Sequence, residues 1–325
     1  MKWVTYDAGG PGASGATAAG PGPRTGLLAD DGIHGLAPGV TLVSLLGDDG
    51  EALADAAATA RRDPAEVRSP DEVRLLAPIP RPPSIRDGLS FLDHLRGCYR
   101  ALGRPPELHP AWSQAPAFYF GNPAAVIGPH DDVAIAPGSR MFDLELEVGA
   151  VVGRPGRDLH PDTAADHIVG FTFFNDWTAR DHQMRDMAQG IGMGKAKDSA
   201  ITLGPALVTV DELEPHRGPD GYTFEVAATV NGREIAKGSL AGMDWTWGEQ
   251  LAYMSRGTDL APGDVIGSGT VPGGCLLEHV DTADPFAYGG WLAPGDVVSL
   301  ASPALGETRQ VVREAAPMIP LRTGY

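Results

Sequence analysis

Cysteine is nearly absent from this chain. Cys98 and Cys275 are the only two in 325 residues, and no Cys-x-x-Cys occurs. That usage suggests neither a disulfide framework nor a zinc–thiolate site. Long apolar runs are missing as well. Nothing approaches the roughly 18 uninterrupted apolar residues of a membrane span, and Lys2 is not followed by an apolar signal segment. A cytoplasmic protein is the default expectation. Basic residues are few, 25 against 42 acidic ones, for a formal charge of −17. Such a surplus argues against nucleic acid or an anionic membrane as partner.

A completed phosphate loop is also lacking. Gly190-Ile191-Gly192-Met193-Gly194-Lys195 invites that reading, but a Walker A motif needs glycine at 189 and a hydroxyl residue at 196. The chain has Gln189 and Ala196, and Lys195 takes the place of the last glycine in a dinucleotide fingerprint. Lys195 is then a cation on a glycine-rich segment, with an ordinary solvated lysine as the bland alternative.

What is present describes a globular protein, 42% apolar and 21% charged, long enough for one large domain or two. Residues 2–6 and 25–28 read as short strands. Residues 8–23 contain only Ala, Gly, Pro, Ser and Thr and have nothing to bury, so a mobile hairpin loop is expected there. Residues 51–61 read as an Ala-rich helix ended by Pro64. The proline-rich stretch 75–83 reads as an extended connector, which places a boundary between a small N-terminal domain (1–75) and a larger one (76–325). Beyond it Asn231-Gly232 marks a hairpin. Ser90-x-x-Asp93, Thr178-x-x-Asp181 and Thr246-x-x-Glu249 resemble capping boxes opening short helices. The expected class is β-rich α+β, not a doubly wound sheet.

Acids stand at the edges of apolar segments. Phe142–Val148 alternates so that Asp143, Glu145 and Glu147 share one strand face, and the apolar run Val148–Gly153 follows. Asp176 ends the apolar segment Gly170–Phe174, and Asp87 precedes the helix that carries His94. Two like charges about 4 Å apart repel by roughly 4 kcal/mol at an effective dielectric near 20, and a hard divalent cation is the usual remedy. The bland readings are a half-exposed strand for the middle acids, helix-start chemistry for Asp176, and a structural or surface histidine for His94. Asp143, furthest from the buried run, is the one expected to be merely solvated.

Read together, Phe142–Val148, Asn175-Asp176-Trp177-Thr178-Ala179-Arg180-Asp181, Gly194-Lys195 and Gly267-Ser268-Gly269-Thr270 closely resemble the fumarylacetoacetate hydrolase family. The resemblance runs from about Leu75 to the C-terminus, and it implies a mixed β-roll catalytic domain behind a small leading domain. It implies that Asp87, Glu145, Glu147 and Asp176 bind Mg²⁺, or Ca²⁺ or Mn²⁺ in its place. His94 then matches a general base, and Glu278 the acid that orients it. Lys195 matches a catalytic cation that meets substrate oxygens and would stabilise the enolate's charge. Gln183, Tyr119 and Thr270 match substrate-binding groups, and Arg180 matches a structural position. Gly88 and Leu92 depart from many relatives, and no arginine is evident that would grip a substrate carboxylate.

The implied activity is metal-dependent hydrolysis of a carbon–carbon bond in a 1,3-diketo acid resembling fumarylacetoacetate or an acylpyruvate. Isomerisation, decarboxylation or hydration of 2-oxo or 2-hydroxydienoic acids of aromatic catabolism is the alternative on the same site. A non-catalytic, metal-stabilised scaffold is a third reading. The expected partners are a small diketo or 2-oxo acid substrate and, as the resemblance implies, a second copy of the chain in a homodimer.

Overall fold

The computed structural model describes residues 1–9, 22–218, 221–280 and 290–322. Residues 10–21, the middle of the small-residue stretch expected to form a mobile loop, lie outside them. Strands dominate the described residues, and the β-rich α+β class holds.

The largest sheet has its centre in the strand Leu146–Val152, which pairs antiparallel with Ile168–Asp176 on one side and Val265–Gly267 on the other. Period-two alternation decides what each residue meets. Leu146, Val148, Ala150 and Val152 enter a core shared with a second sheet, built from strands that include Glu225–Val230 and Val297–Ser302. Val151 faces the opposite side with Phe174, Ile201, Leu203 and Leu207. Helix Glu51–Arg62 covers that side through Leu53, Ala57 and Ala60, one helical stripe. A strand buried on both faces explains the unbroken apolar run after Glu147.

The leading segment extends this same sheet. Strand Lys2–Asp7 pairs with Ile201–Thr209 through Lys2↔Val208 and Trp3↔Leu207. The point expected as a boundary, near residue 75, falls in Arg74–Leu76, itself paired with Lys2–Asp7. The Asn231-Gly232 turn joins Glu225–Val230 to Arg233–Ser239 as expected, with Asn231 at φ 52°.

Of the three expected capping boxes, that at Thr246 forms: its hydroxyl accepts from Glu249 N, and Glu249 accepts from Thr246 N at 2.8 Å. The other two do not. Helix Leu92–Ala101 begins after Phe91, and Asp244 from a distant loop accepts from Leu92 N. Thr178 is held in an extended pair with Asp143, and its hydroxyl donates to Asp176 O instead. Both segments spend their local geometry on placing side chains in the site.

Candidate active site

Asp87, Glu147 and Asp176 come from three strands of the central sheet and converge. One carboxylate oxygen of each lies within 4.8 Å of the others, and all three residues are buried. Between the strands of Asp87 and Glu147 runs Val265–Gly267, and Gly267 pairs with both Asp87 and Gly149. A Cβ at position 267 would stand 2.1 Å from Asp87 Oδ1 and 3.1 Å from Glu147 Oε2. Glycine is required there for the acids to meet across an intervening strand. Asp87 Oδ1, Glu147 Oε2 and Asp176 Oδ1 are buried and have no hydrogen-bond partner among the described residues. Burial, then the charges of Asp87 and Glu145, push Glu147 well above the usual carboxylate range. Asp87 and Asp176 are raised, again chiefly by burial. Orphaned hard oxygens at this spacing fit a divalent cation of the Mg²⁺, Ca²⁺ or Mn²⁺ kind.

Glu145 stands beside this group and is already engaged. Its oxygens accept from Arg180 Nη2 at 2.8 Å and from Lys197 Nζ, which also donates to Asp176. Burial alone would raise Glu145, but Lys197 and Arg180 outweigh it and hold its carboxyl far below the usual range. The expectation for Lys195 is corrected here. Lys195 is two-thirds exposed and pairs with Asp198, whereas Lys197 is buried against the acids. The turn Lys195–Lys197 sends the two side chains in different directions, and only the second reaches the cluster. Asp143 is corrected too. It is wholly buried, bound to Arg180 Nε at 2.8 Å and accepting from the backbone N–H groups of Leu276 and Leu277. It anchors Arg180, which in turn presents its other nitrogen to Glu145.

The block 175–181 divides into supports around Asp176. Asn175 Oδ1 accepts from Glu145 N and sets that acid's backbone. Trp177 stacks on Phe142 at 5.6 Å and donates to Thr202. Asp181 ties down Ser139 and Arg140.

His94 and Glu278, 184 residues apart, form a buried pair with Nδ1 to Oε1 at 2.6 Å. Gly97 makes the approach possible, since a Cβ there would lie 2.4 Å from Glu278 Oε2. Gly273 N also donates to Glu278, fixing the carboxylate. Burial pushes the His94 pKa down, but hydrogen bonds and charge from Cys275 and Glu278 outweigh it and raise it to about 10.

Asp87, Glu145, Glu147 and His94 line one cavity of about 290 Å³, together with Arg180, Gln183, Lys197 and Thr270. Tyr119 donates to Asp176 Oδ2 at 2.6 Å, and Thr270 donates to Glu147 Oε1 at 3.1 Å. Both therefore hold acids of the cluster as well as facing the cavity. Gln183 accepts from Arg180 Nη1 at 3.1 Å. Arg104, unremarked in the sequence, also lines the cavity and lies over the Tyr99 ring. A lysine two residues off and an arginine in a polar loop carried no spacing signal by which they could have been found.

A carboxylate cluster beside a cavity and a histidine–glutamate pair next to it, on a strand-rich α+β scaffold, are the features of an enzyme site. The chain belongs to the fumarylacetoacetate hydrolase family: the description "Fumarylacetoacetate (FAA) hydrolase C-terminal" matches residues 84–313. It is 31% identical over 227 residues to oxaloacetate tautomerase FAHD2A, mitochondrial, from Homo sapiens, covering 70% of this chain and 68% of that one. Among solved structures it is similar to a fumarylacetoacetate hydrolase from Exiguobacterium antarcticum, with a TM-score of 0.68, 26% identity and coverage of 97% and 99%. The fold is also that of a maleylpyruvate hydrolase from Sphingobium sp. SYK-6, solved with manganese(II) and pyruvate, at a TM-score of 0.69, 21% identity and coverage of 97% and 100%. Among the described residues no helix is long and apolar enough to cross a membrane.

Proposed function

We propose that this protein is a metal-dependent hydrolase that cleaves a carbon–carbon bond in a 1,3-diketo acid, resembling fumarylacetoacetate or an acylpyruvate. The observation that carries this reading is that His94, held by Glu278, lines the same cavity as the orphaned carboxylates of Asp87 and Glu147. A scaffold that merely bound a cation would have no use for a buried, oriented base.

Asp87, Glu147 and Asp176, with Glu145 beside them, would hold the cation. Bound there, it would polarise a chelated 1,3-dicarbonyl or 2-oxo acid and, through its charge, favour neutral imidazole at His94. Glu278 keeps the proton on Nδ1, which leaves Nε2 to take a proton from water. General-base help of this kind is worth about 10²–10⁴-fold. Water oxygen bonds to the carbonyl carbon, the adjacent carbon–carbon bond breaks, and its electron pair leaves as an enolate that recovers the proton from His94. The Lys197 ammonium and the Gln183 amide face the cavity where that negative charge develops, and Tyr119 orients Asp176. Arg104, exposed at the cavity's edge, supplies a cation suited to a second carboxylate on the substrate.

Keto–enol isomerisation is the second reading, favoured by the tautomerase among the relatives. It uses the same enolate without a water attack. A cytoplasmic homodimer remains part of the proposal.

Ultraviolet absorbance of an acylpyruvate, followed with Mg²⁺ and then with EDTA, separates the readings. Hydrolysis removes the enol band and turns each substrate acid into two acids with release of one proton; isomerisation shifts the band and leaves a single acid. His94→Ala is expected to abolish turnover and keep metal content, whereas Glu145→Ala is expected to lower metal content first. Near-native turnover by His94→Ala would remove the water-activation role.

A further inference from the structure

The two cysteines, too few and too far apart in sequence to suggest a site, meet at His94. Helix Leu92–Ala101 places His94 and Cys98 one turn apart on its buried side, and the turn Leu276–His279 brings the preceding Cys275 against them. Ligand atoms of the three residues all lie within 4.8 Å of one another. Cys98 Sγ is 3.7 Å from His94 Nε2, and both thiols are free. Zinc bonds of about 2.3 Å to sulfur and 2.0–2.1 Å to nitrogen put tetrahedral neighbours roughly 3.5–3.8 Å apart. The Nε2 separation falls in that range, and because Sγ also lies 3.9 Å from Nδ1, the thiol swings from beside the ring towards the Nε2 lone pair to complete the edge. Glu278 already holds Nδ1 at 2.6 Å, the carboxylate–histidine arrangement that aims Nε2 at a metal. Cys98 and His94 line the cavity, which gives an ion its way in.

We propose that Cys98, Cys275 and His94 Nε2 form a second metal site, selective for thiophilic divalent cations such as Zn²⁺ and separate from the carboxylate cluster. Binding releases one proton from each thiol, and the Nε2 proton wherever the imidazole is charged, to solvent and leaves a fourth position open to the cavity. No redox change is involved. Hard cations are disfavoured by the soft donors. An ion on Nε2 takes the lone pair that would accept the water proton, so occupation silences turnover. That inhibitory half rests on the hydrolytic reading of His94; the binding half does not.

The full chain, reduced with a phosphine, kept anaerobic and saturated with Mg²⁺, is titrated with Cd²⁺ as a spectroscopic probe. A thiolate-to-metal charge-transfer band saturating at one equivalent is expected, a signal carboxylates cannot produce. Cys98→Ser and Cys275→Ser should each weaken Cd²⁺ binding at least tenfold, and Glu147→Gln should leave the band unchanged. No band, a band untouched in both cysteine variants, or a band lost in Glu147→Gln overturns the site. Should Cys275→Ser not fold by circular dichroism, alkylation of the wild type decides instead: both thiols are expected to be shielded by Zn²⁺ and released by EDTA, and unshielded thiols overturn the site. A band that forms while Zn²⁺ leaves acylpyruvate turnover intact overturns the inhibitory half alone. A protein with the band and no acylpyruvate turnover at all supports the site and counts against the hydrolytic reading.

Discussion

Lys197 carries much of the charge balance in the site. Its ammonium touches Glu145 and Asp176, so it offsets part of the repulsion among the acids and also faces the cavity. Replacing a donor that meets developing negative charge costs about 10²–10³ in kcat. Lys197→Met is therefore expected to lose activity on that scale, while Lys195→Met, at an exposed ion pair, keeps kcat near wild type. Equal losses in steady-state assays of the two variants would refute the assignment. Sequence reading stopped at Lys195 because it directly follows the glycine run. Which of two lysines in a single turn points inward depends on the backbone path of that turn, and no residue pattern reports it. Asp143 was misjudged for a related reason: alternation placed it on the acids' face but said nothing of Arg180, 37 residues away, which buries it.

At the level of elements, convergence depends on a strand with no side chain at one position. Gly267 separates Asp87 from Glu147, and Gly267→Ala would drive a methyl group into both carboxylates. We expect at least about a tenfold loss of Mg²⁺ affinity, as for disturbed supports of metal ligands, with about 1–3 kcal/mol lost from overpacking. Calorimetric titration with Mg²⁺ measures the first and chemical denaturation the second; unchanged affinity would show that the acids do not act together. Here much was legible. The Gly-Ser-Gly-Thr turn, the alternating acid strand and the capping box at Thr246 were all visible as local chemistry. The caps at Ser90 and Thr178 were read wrongly because long-range partners, Asp244 and Asp143, took over those backbones.

Across the whole molecule, the site stores unfavourable charge that pH and cations can relieve. Glu147 and Asp176 are raised above their unfolded values, chiefly by burial, so the folded chain keeps protons that the unfolded chain gives up. His94, raised to about 10 despite its burial, acts in the same direction. Their contribution is full below the unfolded pKa values and is lost as pH rises through the raised ones. With EDTA present, Tm is expected to fall from about pH 5 upward, and Mg²⁺ should raise Tm by an amount that grows with pH, since binding displaces those protons. A Mg²⁺ effect on Tm that shrank with rising pH would contradict the cluster as the binding site.

The sequence by itself determined the family, the strand-rich class, the acids and the His94–Glu278 pair. The strand-rich class follows from local alternation and turn chemistry, while the acids' grouping and the pairing of His94 with Glu278 were implied only by the resemblance that the order of short motifs carries. Only the tertiary structure decided that Lys197 and not Lys195 reaches the acids, that Asp143 is buried, that Arg104 reaches the cavity, and that Cys98 and Cys275 meet at His94. Each of those depends on which distant segments pack together, and burial, charge pairing and ligand spacing exist only after that packing is complete.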